Sequence, residues 1–121
     1  MGTFRYTIEI GDPQGEHFER IEALVDTGAS YTTLPASLLN RLGVAPMGRR
    51  RFRIANGGTM LQAIGQTWVR IDEEAYIQLV VFGPEDQALL GAFSLEGFGL
   101  AVDPLGKRLV PMEGLLMRSA A

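Results

Sequence analysis

The sequence predicts an all-β domain with one or two short helices. Two patterns favour this class: segments in which apolar and polar residues alternate, as in strands with one buried face, and turn-forming glycine and proline residues between those segments. A chain of 121 residues, 46% of them hydrophobic, is long enough to bury one core and leaves little room for a second. We therefore expect a single domain spanning residues 1–121.

The composition narrows the chemistry that the chain can perform. It has no cysteine and one histidine, His17, so a zinc site or a Ser–His or Cys–His nucleophile has few residues to draw on. We expect no metal and no cofactor. The net charge of −3 argues against a nucleic-acid partner, and no apolar run reaches the roughly 18 residues that a membrane helix needs. Without a recognisable signal peptide, a cytoplasmic location is expected.

An N-terminal hairpin is predicted to lead into the candidate site. Apolar and polar residues alternate over residues 3–10, a glycine- and proline-rich turn follows, and a second strand covers residues 18–25. This second strand ends at Asp26. Gly28 allows the backbone to turn sharply there and to bring its N–H close to the carboxylate.

The middle of the chain predicts a helix and a glycine-rich hairpin. Residues 31–34 favour a strand, Pro35 can open a helix, and three leucines of residues 38–42 would share one helical face. Two β-prone segments, 51–54 and 59–62, flank Asn56-Gly57-Gly58. Because asparagine and glycine tolerate positive φ, we expect a hairpin at this point.

The second half of the chain predicts further strands. Segments 67–71 and 76–82 would pair through a polar turn, and Ala88-Leu89-Leu90-Gly91 fits a short strand that is buried on both faces. A short helix over residues 92–98 and a hairpin formed by residues 100–102 and 107–110 would follow. The apolar segment 115–117 is expected to pair with another part of the structure.

Two parts of the sequence resemble the retropepsin-like aspartic peptidases, the single-domain, retroviral-type family that includes bacterial members. Leu24-Val25-Asp26-Thr27-Gly28-Ala29 resembles the active-site loop, and Leu89-Leu90-Gly91 with Leu100-Ala101-Val102-Asp103-Pro104 resembles the second block of the family. The resemblance implies a closed β-barrel of the acid protease fold, one lobe per chain, and aspartic endopeptidase activity. It also implies a flap that closes over bound polypeptide, formed by Ile54, Ala55, Asn56, Gly57, Gly58 and Thr59.

The resemblance further implies a homodimer. Peptide hydrolysis by this route uses two carboxylates that share one proton, and none of the other four aspartates is followed by Thr-Gly or Ser-Gly. Asp26 would therefore pair with Asp26 of a second copy. The implied supporting roles are a hydrogen bond of Thr27 across the dimer axis, an N–H of Gly28 directed to the carboxylate, a cleft wall at Ala29, and support of the outer carboxylate oxygen by Ser30.

The function, the arginine-rich segment and Trp68 each have more than one interpretation. A non-catalytic dimerisation or peptide-binding module that retains the fold is the alternative to the enzyme, with Asp26 and Thr27 as structural remnants. For Asp26 itself, the alternative is a turn residue whose carboxylate accepts hydrogen bonds from its own loop. Residues 49–53, with four arginines, fit a nucleic-acid patch, although a solvated flank of the hairpin is favoured. Trp68 fits the core, an interface or the cleft, and the sequence does not choose among them.

Overall fold

Strands make up most of the structure, a computed structural model that describes residues 3–103 and 105–113. In chain order the elements are β1 (Phe4–Gly11), β2 (Phe18–Val25), β3 (Thr32–Pro35), α1 (Ala36–Arg41), β4 (Gly48–Arg53), β5 (Thr59–Ile71), β6 (Glu74–Gly83), β7 (Leu89–Leu90), α2 (Ala92–Gly97), β8 (Leu100–Asp103) and β9 (Arg108–Pro111). The all-β class with two short helices is confirmed. The predicted pairing segment 115–117 lies outside the described residues.

Six strands close into a ring. The main sheet has the order β1-β2-β7-β3-β6-β5-β4, and β1 also pairs with β5 through Glu9–Arg70 and Ile10–Val69. Closure gives each strand of the ring two neighbours, although β1 and β5 pair over only these two positions. Strand β4 lies outside the ring and, among the described residues, pairs only with β5. This ring is the closed barrel that the sequence led us to expect.

The core fills the ring because each strand directs alternate side chains inward. Ile8 and Ile10 of β1, Val25 of β2 and Leu90 of β7 are almost completely buried. Helix α1 covers one part of this core with the predicted leucine face, in which Leu39 has no exposed surface. In the described part of the chain neither helix is long enough to span a membrane.

Strand β5 differs from the prediction. Two separate strands were expected at 59–62 and 67–71, and that prediction is wrong, because one strand of 13 residues runs from Thr59 to Ile71. Its interior contains Gly65, where a Cβ would lie 3.0 Å from the carbonyl oxygen of Ala45. The glycine therefore permits a close approach of the neighbouring backbone instead of interrupting the strand.

Trp68 packs against the turn between β1 and β2. Gly15, with φ of 73°, leaves space for the indole, and a Cβ there would lie 3.0 Å from Nε1 of Trp68. Trp68 is half-buried and does not line the cleft described below. Its side chain therefore covers the first hairpin and belongs neither to the buried core nor to the cleft.

Candidate active site

Backbone hydrogen bonds to the residues around β7 hold Asp26 at the end of β2. The Asp26 N–H donates to the carbonyl oxygen of Leu90 at 3.1 Å, and the Leu24 N–H donates to that of Ala88 at 2.8 Å. The two strands run parallel, with Val25 opposite Leu90. Since Val25 and Leu90 are both buried, the loop that follows is anchored in the core, and the predicted strand next to the loop is present.

The Asp26 carboxylate accepts a hydrogen bond from its own loop. The Gly28 N–H donates to Oδ1 of Asp26 at 2.9 Å, and the Ala29 N–H donates to the Asp26 carbonyl oxygen at 3.1 Å. A Cβ on Gly28 would lie 3.1 Å from the same Oδ1, so a larger residue would crowd the acceptor. The predicted Gly28 hydrogen bond is present. Asp26 is partly exposed and Thr27 is exposed, so both side chains are accessible.

Ala29 and Ser30 contact the second helix through their backbone. Their carbonyl oxygens accept hydrogen bonds from the N–H groups of Ala92 and Phe93 at 2.8 and 3.0 Å. These bonds satisfy the start of α2, which has no side-chain cap. Within the described part of the chain, no side-chain hydrogen bond joins Ser30 to Asp26, so the support predicted for Ser30 is absent from the single chain.

A buried pair of hydroxyl groups fixes the position of Gly91 beside the loop. The Gly91 N–H donates to Oγ1 of Thr32 at 3.0 Å, and the Thr32 hydroxyl shares a hydrogen bond of 2.6 Å with Oγ of Ser94. Both hydroxyl residues are at most 2% exposed. A Cβ on Gly91 would lie 2.6 Å from the carbonyl carbon of Tyr31, so the close approach that the sequence predicted does require glycine.

A cleft of about 450 Å³ lies between the Asp26 loop and the hairpin of β4 and β5. The residues that line it are Gly28, Ala29, Ser30, Tyr31, Thr33, Phe52, Arg53, Ile54, Met60, Gln62, Val81, Pro84, Gln87 and Leu89. Ala29 lines it as expected, whereas Asp26 lies beside it and is not part of the wall. The mixture of apolar walls and a few polar groups is typical of ligand-binding clefts.

The predicted flap is a β-hairpin with a tight turn. Ile54 N–H donates to the carbonyl oxygen of Gly58, and Gly57 N–H donates to that of Ile54, both at 2.9 Å. Gly57 has φ of 93°, and Oδ1 of Asn56 accepts the Gly58 N–H at 2.9 Å. Ile54 borders the cleft. The tip residues Ala55, Asn56, Gly57, Gly58 and Thr59 are exposed.

Tyr31 joins this hairpin to the Asp26 loop, a role that the sequence analysis missed. Its ring packs edge-on against Phe52 of β4 and Phe93 of α2, with centroid distances of 5.5 and 5.2 Å. Arg50 of β4 donates a hydrogen bond from Nη1 to the Tyr31 hydroxyl at 2.7 Å, and its guanidinium carbon lies 5.5 Å from the ring centroid. The tyrosine therefore connects the base of the hairpin to the loop that carries the candidate carboxylate.

Three of the other four aspartates have their own partners away from this loop. Asp12 and Asp103 each accept hydrogen bonds from backbone N–H groups a few positions later in the chain. These bonds hold the pKa of each carboxyl below its usual range. Asp72 accepts a hydrogen bond from the Tyr6 hydroxyl at 2.7 Å, which raises the pKa of that phenol. In residues 3–103 and 105–113 no group of three or more histidine, aspartate or glutamate residues could hold a metal ion.

Comparison with known proteins gives matches at two levels. Residues 16–96, more than half of the chain, match the family described as "gag-polyprotein putative aspartyl protease", and this range contains both Asp26 and Gly91. The fold is similar to that of the solution structure of simian foamy virus (mac) protease, with a TM-score of 0.57, 19% identity, and coverage of 78% of this chain and 94% of that chain. No curated protein sequence matches significantly. At this identity the structural similarity concerns the fold alone.

Proposed function

Because the chain belongs to the gag-polyprotein aspartyl protease family, we propose that it hydrolyses peptide bonds through a water molecule activated by two Asp26 residues, one from each chain of a homodimer. The observation that carries this proposal is the state of Asp26 in the single chain. Its carboxylate is partly exposed at a rigid strand end and is oriented by the Gly28 N–H. Among the described residues, no second carboxylate contacts it.

The lack of a second carboxylate beside Asp26 among the described residues supports the assembly of two copies. Asp12, Asp72 and Asp103 make hydrogen bonds elsewhere, and Asp86 lies in an exposed turn after β6. A twofold axis would place the same loop of a second copy against the first and would supply an identical carboxylate. Thr27 is exposed next to Asp26 and is available to bond across that axis, as the family resemblance implies.

The chemistry of such a pair follows from the repulsion of like charges. Two carboxylates a few ångströms apart hold one proton between them, since ionising both is costly. The ionised group accepts a proton from water while the water oxygen bonds to the carbonyl carbon, and the protonated group donates its proton to the carbonyl oxygen. When the C–N bond then breaks, the carboxyl that took the water proton donates it to the leaving amine nitrogen, and the ionised carboxylate takes a proton from a hydroxyl of the intermediate, so that the pair again holds one proton. The Gly28 N–H stabilises one carboxylate oxygen throughout.

The substrate fits the cleft as an extended polypeptide. Apolar side chains from both walls, including Phe52, Met60 and Leu89, favour apolar side chains of the substrate. The hairpin, with Ile54 beside its tip, would cover the main chain of the bound peptide and exclude water. The cytoplasmic location expected from the sequence stays a prediction.

Cleavage of a denatured protein between about pH 4 and 6, where a dyad can share one proton, tests the proposal. We expect Asp26→Asn to lower turnover by at least about 100-fold, the loss typical of removing an acid–base group, while the dimer persists. Asp72→Asn is the matched control, because Asp72 lies away from the cleft and asparagine can still accept the Tyr6 hydrogen bond. Turnover of Asp26→Asn at the wild-type rate would refute the assignment.

An inhibitor separates the enzyme from the alternative module. A peptide with a central hydroxyl in place of the scissile carbonyl mimics the tetrahedral intermediate, and we expect it to inhibit wild-type turnover. Peptide binding without any turnover by the wild-type protein would instead identify a non-catalytic module that retains the fold.

A further inference from the structure

Strand β4 combines an open edge with a concentration of positive charge. Among the described residues it pairs only with β5, so backbone N–H and C=O groups along its other side face outward. Four arginines, Arg49, Arg50, Arg51 and Arg53, occupy five consecutive positions of this strand, and all four are exposed. This concentration contrasts with the net charge of −3 for the whole chain.

The two faces of β4 have different surroundings. Arg50 and Phe52 both contact Tyr31, so their face looks toward the Asp26 loop. Because side chains alternate along a strand, Arg49, Arg51 and Arg53 belong to the opposite face, with successive positions roughly 7 Å apart. The Tyr31 contacts hold the strand from within, and the three remaining arginines follow its outer face at regular spacing.

These three arginines have no acidic partner in the described residues, as is also true of Arg5 and Arg20, but they are the ones that follow one another along a single open strand. Arg41, Arg70 and Arg108 each form an ion pair with a carboxylate, at 2.7, 2.9 and 3.2 Å. In residues 3–103 and 105–113, no carboxylate lies within ion-pair distance of Arg49, Arg51 or Arg53. A row of guanidinium groups on an open strand edge matches a strand that carries carboxylates at alternate positions.

We propose that β4 is a docking site for an extended acidic peptide, which adds to the sheet as a further antiparallel or parallel strand. Main-chain hydrogen bonds to the open edge would supply binding energy, and carboxylates at alternate positions would pair with Arg49, Arg51 and Arg53. This inference goes beyond the proposed hydrolysis and does not depend on it. Strand β4 ends at Arg53, which is among the residues that line the cleft, so Arg49 and Arg51 are the two that belong to the outer face alone, and a docked acidic segment would end next to the proposed active site.

Charge and the open strand edge favour an acidic peptide over a second copy of β4 and over a nucleic acid. A second β4 from another copy would bring like charges together along the whole edge, which edge arginines and lysines prevent in many sheets. Sites for single-stranded nucleic acid usually combine positive charge with aromatic rings on which the bases stack, and the one aromatic residue of β4, Phe52, packs against Tyr31 on the other face. A nucleic acid also makes no use of a row of open strand hydrogen-bonding groups.

A binding experiment with the full chain tests the docking site. The probe is a labelled peptide of alternating glutamate and threonine, and its control is the same peptide with lysine in place of glutamate. We expect Arg49→Gln/Arg51→Gln to weaken binding of the acidic peptide roughly 2- to 30-fold, the loss expected for two exposed ion pairs. Arg5→Gln/Arg20→Gln removes the same charge from the exposed β1–β2 hairpin and should leave binding within about twofold of wild type.

Amide hydrogen exchange locates the bound peptide. Strand addition to β4 is supported if the bound peptide slows amide exchange in residues 48–53 alone. This protection should disappear when alternate backbone nitrogens of the peptide are methylated. Protection at residues 28–31 would place the peptide in the cleft and overturn the proposal. It is equally overturned if the acidic and basic peptides bind alike, if neither binds, or if oligothymidylate binds more tightly than the acidic peptide with the same sensitivity to Arg49→Gln/Arg51→Gln.

Discussion

Replacing Thr32 by valine is expected to destabilise the fold far more than its conservative appearance suggests. The Thr32 hydroxyl accepts the Gly91 N–H at 3.0 Å and shares a 2.6 Å hydrogen bond with the Ser94 hydroxyl. Valine has nearly the same volume as threonine but no hydroxyl group. The Gly91 N–H and the Ser94 hydroxyl would therefore stay buried without a hydrogen-bond partner. At about 1–3 kcal/mol for each of the two unsatisfied buried groups, the free energy of unfolding should fall by about 2–6 kcal/mol.

Urea denaturation at one fixed chain concentration measures this loss, since dimer formation would make stability concentration-dependent. The matched control is Thr33→Val on the same strand, where the hydroxyl donates only a long hydrogen bond of 3.5 Å, to the Tyr31 carbonyl oxygen. That control should cost less than about 1 kcal/mol. Thr32→Val/Ser94→Ala should cost less than the sum of the single changes, because one orphaned hydroxyl disappears. Equal losses for Thr32→Val and Thr33→Val would refute the reasoning.

Three further predictions concern the loop, the hairpin and the response to acid. Gly91→Ala places a Cβ 2.6 Å from the carbonyl carbon of Tyr31 and should lower the free energy of unfolding by about 1–3 kcal/mol; an unchanged urea midpoint would contradict it. Tyr31→Ala should accelerate amide exchange at residues 54–58 more than Tyr31→Phe does, because the phenylalanine variant loses only the hydrogen bond from Arg50. Equal exchange rates for the two variants would exclude a role for the ring. Asp12 has a pKa lowered from 3.8 by backbone N–H donors, so its stabilisation is present above that value and is lost as pH falls through the lower folded-state pKa. Asp12→Asn should therefore flatten the acid limb of a stability–pH curve, and a limb identical to that of wild type would contradict the assignment.

Local sequence patterns were sufficient for the elements around the site. Alternation gave the first hairpin, the two small turn residues gave the hairpin tip at Asn56-Gly57, and the short apolar run before Gly91 gave the strand next to the Asp26 loop. Each of these features depends on residues that are close together in the chain. The Gly28 hydrogen bond was predictable for the same reason, since donor and acceptor lie two positions apart.

The features that the sequence did not predict all join distant segments. Thr32 and Ser94 are 62 positions apart, and nothing near either residue indicates that a partner hydroxyl is buried beside it. Tyr31 meets Phe52 and Arg50 only after the ring of strands has closed. Gly65 has the local appearance of a strand breaker, and only the approach of another backbone segment explains its position inside a strand.

One mixing experiment tests the shared site directly. Wild-type and Asp26→Asn chains are combined in equal amounts, allowed to exchange subunits, and assayed at the total concentration used for wild type alone. Random pairing leaves about one quarter of the dimers with two aspartates, so a dyad shared between chains predicts a residual activity of about one quarter. Chains that each act alone would retain about one half, and that result would contradict the assembly of one active site from two copies.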